Sequence, residues 1–377
     1  MMTPFDGLLF FYILILALIP AALLGLLGRP VKHWAAVVNL LFLLLIFSSP
    51  RALLALGIFA AWETLLTVLF RGLWRTVKKR WTLWLAVALA LVPLAAVKLS
   101  GLLGWGIGLL GISYMTFRAL QVLIESYDGL IPALSLWEYG FFLLFFPSVS
   151  SGPIDRSRRF CADLACTRTR EEYVRLLRGG VRRLFTGALY NFVFSKLIYT
   201  FVLEKLPDTW WGLLLYGVGY TLFLFFNFAG YSAMAVGTSH ILGIAVPDNF
   251  NRPFLARDLK DFWARWHISL STWLRDFVYT RFTMASLRQK WFKSKHTGSY
   301  LGYILTMLTM GIWHGFSWHY ILYGVYHGLL MCLNDVLDTR WKAFKKMKKD
   351  KRWQPLLMAL TFVLVSVGML LFSGKLI

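Results

Sequence analysis

Acidic residues are scarce in this chain. Only 18 Asp and Glu stand against 40 Lys and Arg in 377 residues, and charged residues of both signs make up 15%. A soluble domain carries about a quarter charged residues, so a water-soluble single-core protein is excluded. Cysteine is nearly absent too. Cys161, Cys166 and Cys332 form an odd set with one member inside an apolar run, which excludes a disulfide framework. The N-terminal residues lack the basic segment and small-residue cleavage site of a secretory signal, so the first apolar run is expected to be a retained helix. No Gly-rich phosphate loop, G-x-S-x-G elbow or H-E-x-x-H pair occurs, which removes the commonest nucleotide, hydrolase and metalloprotease readings. Internal repeats are also missing, so an inverted-repeat transporter gains no support.

What is abundant is apolar length. Hydrophobic residues make up 58% of the chain, in runs near the roughly 20 residues that a helix needs to cross a bilayer. The spans expected are 5–28, 34–49, 51–70, 82–98, 101–124, 135–149, 184–203, 209–230, 300–314, 319–337 and 355–373. The fold class expected is therefore an all-α, polytopic protein of the cell membrane, read as a single membrane-embedded domain over 1–377. Within it, residues 1–98 form N-terminal peripheral helices, 99–337 the core, and 338–377 a basic loop and final helix.

The net charge of +22 would suggest nucleic acid in a soluble chain. Its placement argues otherwise, because 32 of the 40 Lys and Arg fall in four polar stretches, 71–80, 156–183, 252–295 and 340–352. Cytoplasmic loops carry this excess, and anionic lipid headgroups attract it. With 71–80 and 340–352 inside, three full crossings between residues 82 and 149 would leave the Arg-rich 156–183 outside. One of them is expected to be broken or re-entrant: the Gly-rich 101–124, or 135–149 with Pro147. Irregular backbone at membrane depth implies a cavity or protein around it.

Seven histidines offer chemistry. His33 and His296 lie in basic loops and read as solvated. His314 lies in an apolar run between Gly311 and Gly315 with no carboxylate within twenty residues, and ionisable groups at such depth are functional by default. A neutral imidazole there suits a general base; the plainer reading is a hydrogen bond to a neighbouring helix. His267 stands in Leu259–Phe282, a helix-like stretch whose Phe262, Trp266, Leu270, Trp273 and Phe277 form one apolar stripe. It reads either as an interfacial packing residue or as a catalytic one. His319, Tyr323 and His327 share a helix face, but two imidazoles without carboxylate or thiolate neighbours fall short of a zinc ligand set, so no metal is expected. His240 reads as helix glue or a lining residue.

Four ordered segments carry a resemblance: FFPSVSSGPIDRSRRF (Phe145–Phe160), FAGYSAMAVGTSHILGIAVPDNFNRPF (Phe228–Phe254), WARWHISLSTWLRDFVY around His267, and GIWHG around His314. Together they resemble the membrane-bound O-acyltransferase family, and within it the branch that serves D-alanylation of teichoic acid in Gram-positive bacteria. The resemblance implies a ring of about eleven tilted helices around a thinned centre, with a funnel and a tunnel meeting at the active histidine. It implies His314 as the catalytic residue and His267 as the second active-site residue, a position where some relatives carry Asn or Asp.

The resemblance further implies a donor held as a D-alanyl thioester on the 4'-phosphopantetheine arm of a small acidic carrier protein in the cytoplasm, with no cofactor bound by the chain itself. Extracellular or membrane helper proteins and teichoic acid would follow as partners, without nucleic acid. A docking segment is expected after His267, where Phe282, Met284 and Leu287 mix with Arg288 and Lys290; a helix against lipid headgroups is the competing reading. Two rival functions stand beside this one: an alginate-type polysaccharide O-acetyltransferase, and a non-enzymatic transporter of an anionic polymer.

Overall fold

The computed structural model describes residues 2–104 and 108–376, and every regular element among them is helical. The expected span 101–124 includes Trp105–Ile107, which lie outside the described residues. The chain divides into two compact units, Met1–Gly187 with Tyr231–Pro247, and Ala188–Gly230 with Asp248–Ile377. Among the described residues, six helices are long and apolar enough to cross a membrane: Leu8–Leu26, Pro50–Val77, Arg80–Gly101, Arg170–Lys205, Trp210–Ile241 and Gln354–Ser373.

In the first unit, α1 (Leu8–Leu26), α2 (Lys32–Ile46), α3 (Pro50–Val77) and α4 (Arg80–Leu102) precede α5 (Ile112–Tyr127), α6 (Leu136–Leu143), α7 (Ser157–Ala165) and α8 (Arg170–Ala188). Along α1, Phe10, Leu14 and Ala21 are buried while Leu8, Ile15, Leu16 and Leu23 are exposed, an outward apolar face that suits hydrocarbon and not water. Gly28, at φ 67°, closes α1 in the left-handed region, with bonds from Gly28 N to Gly25 O (3.0 Å) and Arg29 N to Leu24 O (2.9 Å). Ser49 caps α3 by accepting from Ala52 N at 3.2 Å, with Pro50 in the first turn. Thr169 and Glu172 form a reciprocal cap at the start of α8, at 2.9 and 3.3 Å.

The re-entrant element is 135–149. Helix α6 has eight residues, about 12 Å at 1.5 Å per residue, too short for a hydrocarbon core of about 30 Å. Its approach lies by the end of α3, where Arg71 donates to Ile131 O (3.1 Å) and Pro132 O (3.2 Å). A 3-10 turn, Phe146–Ser148, follows, and the chain returns to the last turns of α5, where Ser157 donates to Glu125 (3.3 Å) and Arg156 and Arg158 face the same carboxylate. The segment thus enters and leaves at one end of α5. Tyr173, near the start of α8, donates to Ala21 O of α1 (3.1 Å) and Ile241 O (2.7 Å), and its neighbour Arg168 donates to Gly243 O. The Arg-rich 156–183 stretch therefore begins on the side where α1 ends, as the charge rule requires.

Buried polar groups hold the re-entrant tip. Arg118 of α5, 1% exposed, donates to Phe142 O and Leu143 O at 3.1 Å each, and to Ser148 O (2.6 Å) and Ser148 Oγ (2.5 Å). Asn39 of α2 accepts from Phe146 N at 2.7 Å. Backbone freed from helical pairing is in this way satisfied by protein.

In the second unit, a π-helical stretch, Leu189–Phe194, continues from α8 into α9 (Ser195–Phe201), and α10 (Trp210–Ile241) follows. Then come α11 (Leu259–Trp263), α12 (Ile268–Leu274), a π-helical turn Arg275–Tyr279, α13 (Thr280–Arg288), α14 (Lys295–His314), α15 (Trp318–Arg340), α16 (Lys342–Lys349) and α17 (Gln354–Ser373). Glycines let α14 and α15 pack closely: a Cβ at Gly324 would stand 2.6 Å from Met307 O, and one at Gly311 2.3 Å from Tyr320 O. Charged clamps fix α11. Asp258 caps it, Lys260 pairs with Asp335 at 2.5 Å, and Lys348 of α16 reaches both Asp258 and Asp338. Burial works against the charge on Lys348, but hydrogen bonds to those two carboxylates outweigh it and raise its pKa above the ordinary lysine value.

Candidate active site

The stretch 259–282, expected as one helix-like segment, is broken between α11 and α12. His267 sits at the break with φ 45° and ψ 51°, a left-handed conformation uncommon outside glycine. What replaces the helical bonds is the segment at Asn249. Asn249 O accepts from Ile268 N (2.9 Å), while Asn249 Oδ1 accepts from Ser269 N (3.1 Å) and Ser269 Oγ (2.8 Å). Asn251 N donates to Arg265 O at 2.9 Å on the other side of the break.

The same Asn249 Oδ1 stands 3.2 Å from His267 Nδ1. Because this oxygen only accepts, Nδ1 carries the proton in that bond, which leaves Nε2 with its lone pair. Phe228 packs edge-on against the imidazole at 4.7 Å between ring centroids, and Trp313 lies at 6.5 Å. His267 is 5% exposed.

His314 is the last residue of α14, half-buried, where the helix ends at an extended Gly315. Its ring stands 4.8 Å from Phe372, 5.8 Å from Tyr320 and 6.4 Å from Tyr323, with Trp313 at 4.5 Å. Trp313 thus neighbours both imidazoles. A pair of imidazoles in an aromatic surround, one half-buried and one fixed in its tautomer, can accept and return a proton while water is kept scarce.

The other histidines are elsewhere. His319 packs at a tilt against Tyr320 near Gly374, and His327 is buried against Trp263 and Gly368. His240 lies in the first unit, 3.3 Å from Val246 O. Among the docking candidates, Phe282 stacks edge-on with Trp291 at 5.8 Å; Met284, Leu287, Arg288 and Lys290 are exposed at the end of α13 and the turn beyond it. Asn249 was not singled out from the sequence; its only signal was its place in the AVPDNFNRPF segment.

The sequence model of MBOAT, the membrane-bound O-acyltransferase family, matches residues 31–373. The chain belongs to the membrane-bound O-acyltransferase family. It is accordingly a multi-pass membrane enzyme that transfers acyl groups. It is 39% identical to the teichoic acid D-alanyltransferase of Bacillus subtilis (strain 168), over 99% of this chain and 98% of that protein. The Streptococcus thermophilus protein of the same name is 34% identical, over 99% and 95%. A probable alginate O-acetylase AlgI of Pseudomonas putida is 33% identical, but over 71% of this chain and 52% of its own length.

For this membrane-bound O-acyltransferase, Asn249 predicts a graded result. Asn249→Ala removes the acceptor that fixes both the His267 ring and the first turn of α12, and is expected to lower acyl transfer by about tenfold and to cost about 1–3 kcal/mol of stability. Asn249→Asp keeps an acceptor and should retain more of both. Transfer rates and thermal midpoints of the purified variants check this.

Proposed function

We propose that the chain transfers D-alanine from a carrier-bound thioester towards hydroxyls of teichoic acid, with His314 as the base and His267 as its partner. The observation that carries the substrate is likeness over essentially the full length to proteins named teichoic acid D-alanyltransferase, against partial likeness to alginate O-acetylases. In the reaction, His314 takes the proton of the acceptor hydroxyl as its oxygen attacks the thioester carbonyl. The carbon–sulfur bond breaks, and the departing thiolate recovers the proton from the imidazolium. A thioester is already activated, so orientation and exclusion of water are the main demands on the protein. His267, held through Nδ1, presents Nε2 to donor or base.

The donor is proposed to arrive on the 4'-phosphopantetheine arm of a small acidic carrier, with helper proteins of D-alanyl transfer acting beyond it. The docking surface is the end of α13, where exposed Met284 and Leu287 stand beside Arg288 and Lys290. Reversing both charges, Arg288→Glu with Lys290→Glu, is expected to weaken carrier binding by about tenfold or more at low salt while leaving membrane insertion intact. Unchanged binding in a pull-down with the loaded carrier removes this docking surface.

The substrate itself is tested in membranes that contain the chain, supplied with a carrier charged with radiolabelled D-alanine. Label is expected in acid-precipitable, alkali-labile ester. Transfer of acetyl groups but not D-alanine under the same conditions would instead favour the acetyltransferase reading.

A further inference from the structure

The reaction above makes no use of His327, a fully buried imidazole in α15. It stands where three helices of the second unit meet. From α11 comes Trp263, whose ring lies edge-on to the imidazole at 5.2 Å between centroids. Tyr323 and Tyr326 of α15 itself pack against it at 4.7 and 5.4 Å. On the α17 side stands Gly368, where a Cβ would overlap His327 Nε2, so only glycine lets the ring reach that backbone.

Both histidines of the site lie close to these contacts. Trp263 is the last residue of α11, four residues before His267. The same face of α15 holds the other end of α11, because Asn334 Oδ1 accepts from Leu259 N at 3.0 Å. Tyr323 lies 6.4 Å from the His314 ring and 5.1 Å from Phe372, the α17 residue that packs on His314 at 4.8 Å. One imidazole thus spaces α11 from α17.

Filling that space does not call for a histidine. Neither ring nitrogen has an N–H or O–H partner among the described residues, nor has Trp263 Nε1 an acceptor. Buried polar atoms left in this way are destabilising, and an apolar side chain would avoid the cost. What histidine adds is direction. The Cβ position at Gly368 lies nearest Nε2 and almost equally far from the flanking Cε1 and Cδ2, at 3.1 and 3.2 Å. The approach therefore runs along the lone-pair axis of Nε2, and the Cα–H that glycine carries there is a weak donor to it.

We infer that His327 is a positioning residue for acyl transfer, an inference that rests on the assignment of His314 and His267 above. Its ring keys α17 at Gly368 and α11 at Trp263, and so sets the Phe372 wall of His314 and the break at His267 in one register. Small displacements of groups near a reacting centre are costly in rate.

The test compares full-length wild type with His327→Leu, His327→Gln and His314→Ala, using the carrier charged with radiolabelled D-alanine as donor. His327→Leu is expected to lower kcat about tenfold, with KM for the carrier within about twofold of wild type. Its thermal midpoint should hold or rise, since two unpaired buried nitrogens are gone. His327→Gln, whose Oε1 can accept in place of Nε2, should recover most of kcat. A second readout needs no donor: carbethoxylation of His314 by diethyl pyrocarbonate, followed by peptide mass spectrometry. Its rate should change about threefold or more in His327→Leu, with His296 as the unaffected reference. Wild-type kcat and wild-type His314 labelling in His327→Leu overturn the inference, as does a fall in kcat that tracks a fall in midpoint, the mark of packing alone. Wild-type transfer by His314→Ala instead sinks the assignment of the site, and the labelling rate then decides on His327 by itself.

Discussion

Replacing His314 with Ala is expected to lower D-alanyl transfer by about 10²–10⁴-fold, the range in which a positioned general base contributes. The side chain is half-buried at a helix end and its removal leaves the packed α14–α15 pair intact, so insertion and thermal midpoint should stay close to wild type. His267 needs a different substitution. At φ 45° an alanine is strained, whereas Asn tolerates the left-handed region; His267→Asn removes the ring while keeping the backbone. It should reduce transfer by about tenfold or more, and less than His314→Ala. Transfer from D-alanyl-loaded carrier in membranes measures all three proteins. Equal rates would end the assignment of both histidines and would revive a non-enzymatic polymer transporter, which has no need of either imidazole.

The second large effect is structural. Arg118→Met should strip four acceptors of their donor at the tip of the re-entrant segment, namely Phe142 O, Leu143 O, Ser148 O and Ser148 Oγ. Leaving buried groups unpaired costs about 1–3 kcal/mol each, so loss of folded protein is expected rather than a mild shift. Arg118→Lys keeps the charge but not the planar fork, and should fall between the two. Yield of monodisperse protein and its midpoint in detergent report the result. A wild-type midpoint for Arg118→Met would mean that the tip does not depend on this side chain.

Much of this architecture was legible in the residues, for reasons that can be named. Apolar length made α1, α3, α4 and α17 visible, because a helix in lipid must be apolar over its whole exposed face. Charge placement made the parity failure visible, and that failure narrowed the break to 101–124 or 135–149. The choice between them was hidden, since it rests on Arg118, Asn39 and Glu125, whose partners lie up to 107 residues away. The break before His267 was hidden for a similar reason. The stripe Phe262, Trp266, Leu270 reads as one helix, and only the distant Asn249 supplies the bonds that let the backbone turn left-handed there. His267 and His314 stood out as residue types in motifs, while the rings of Phe228, Trp313 and Phe372 that enclose them look in the sequence like ordinary apolar filling.

The first unit is closed by a segment synthesised late. Tyr173 waits for Ile241 O, Arg168 for Gly243 O and Asp163 for Ala245 N, all supplied by Tyr231–Pro247. A ribosome that has released residues 1–187 into the bilayer has therefore delivered an unfinished fold, with Tyr173, Arg168 and Asp163 each still short of one of their partners. Completion must await translation of some sixty further residues, and during that delay the nascent chain is exposed to quality-control proteases or in need of a protecting insertase.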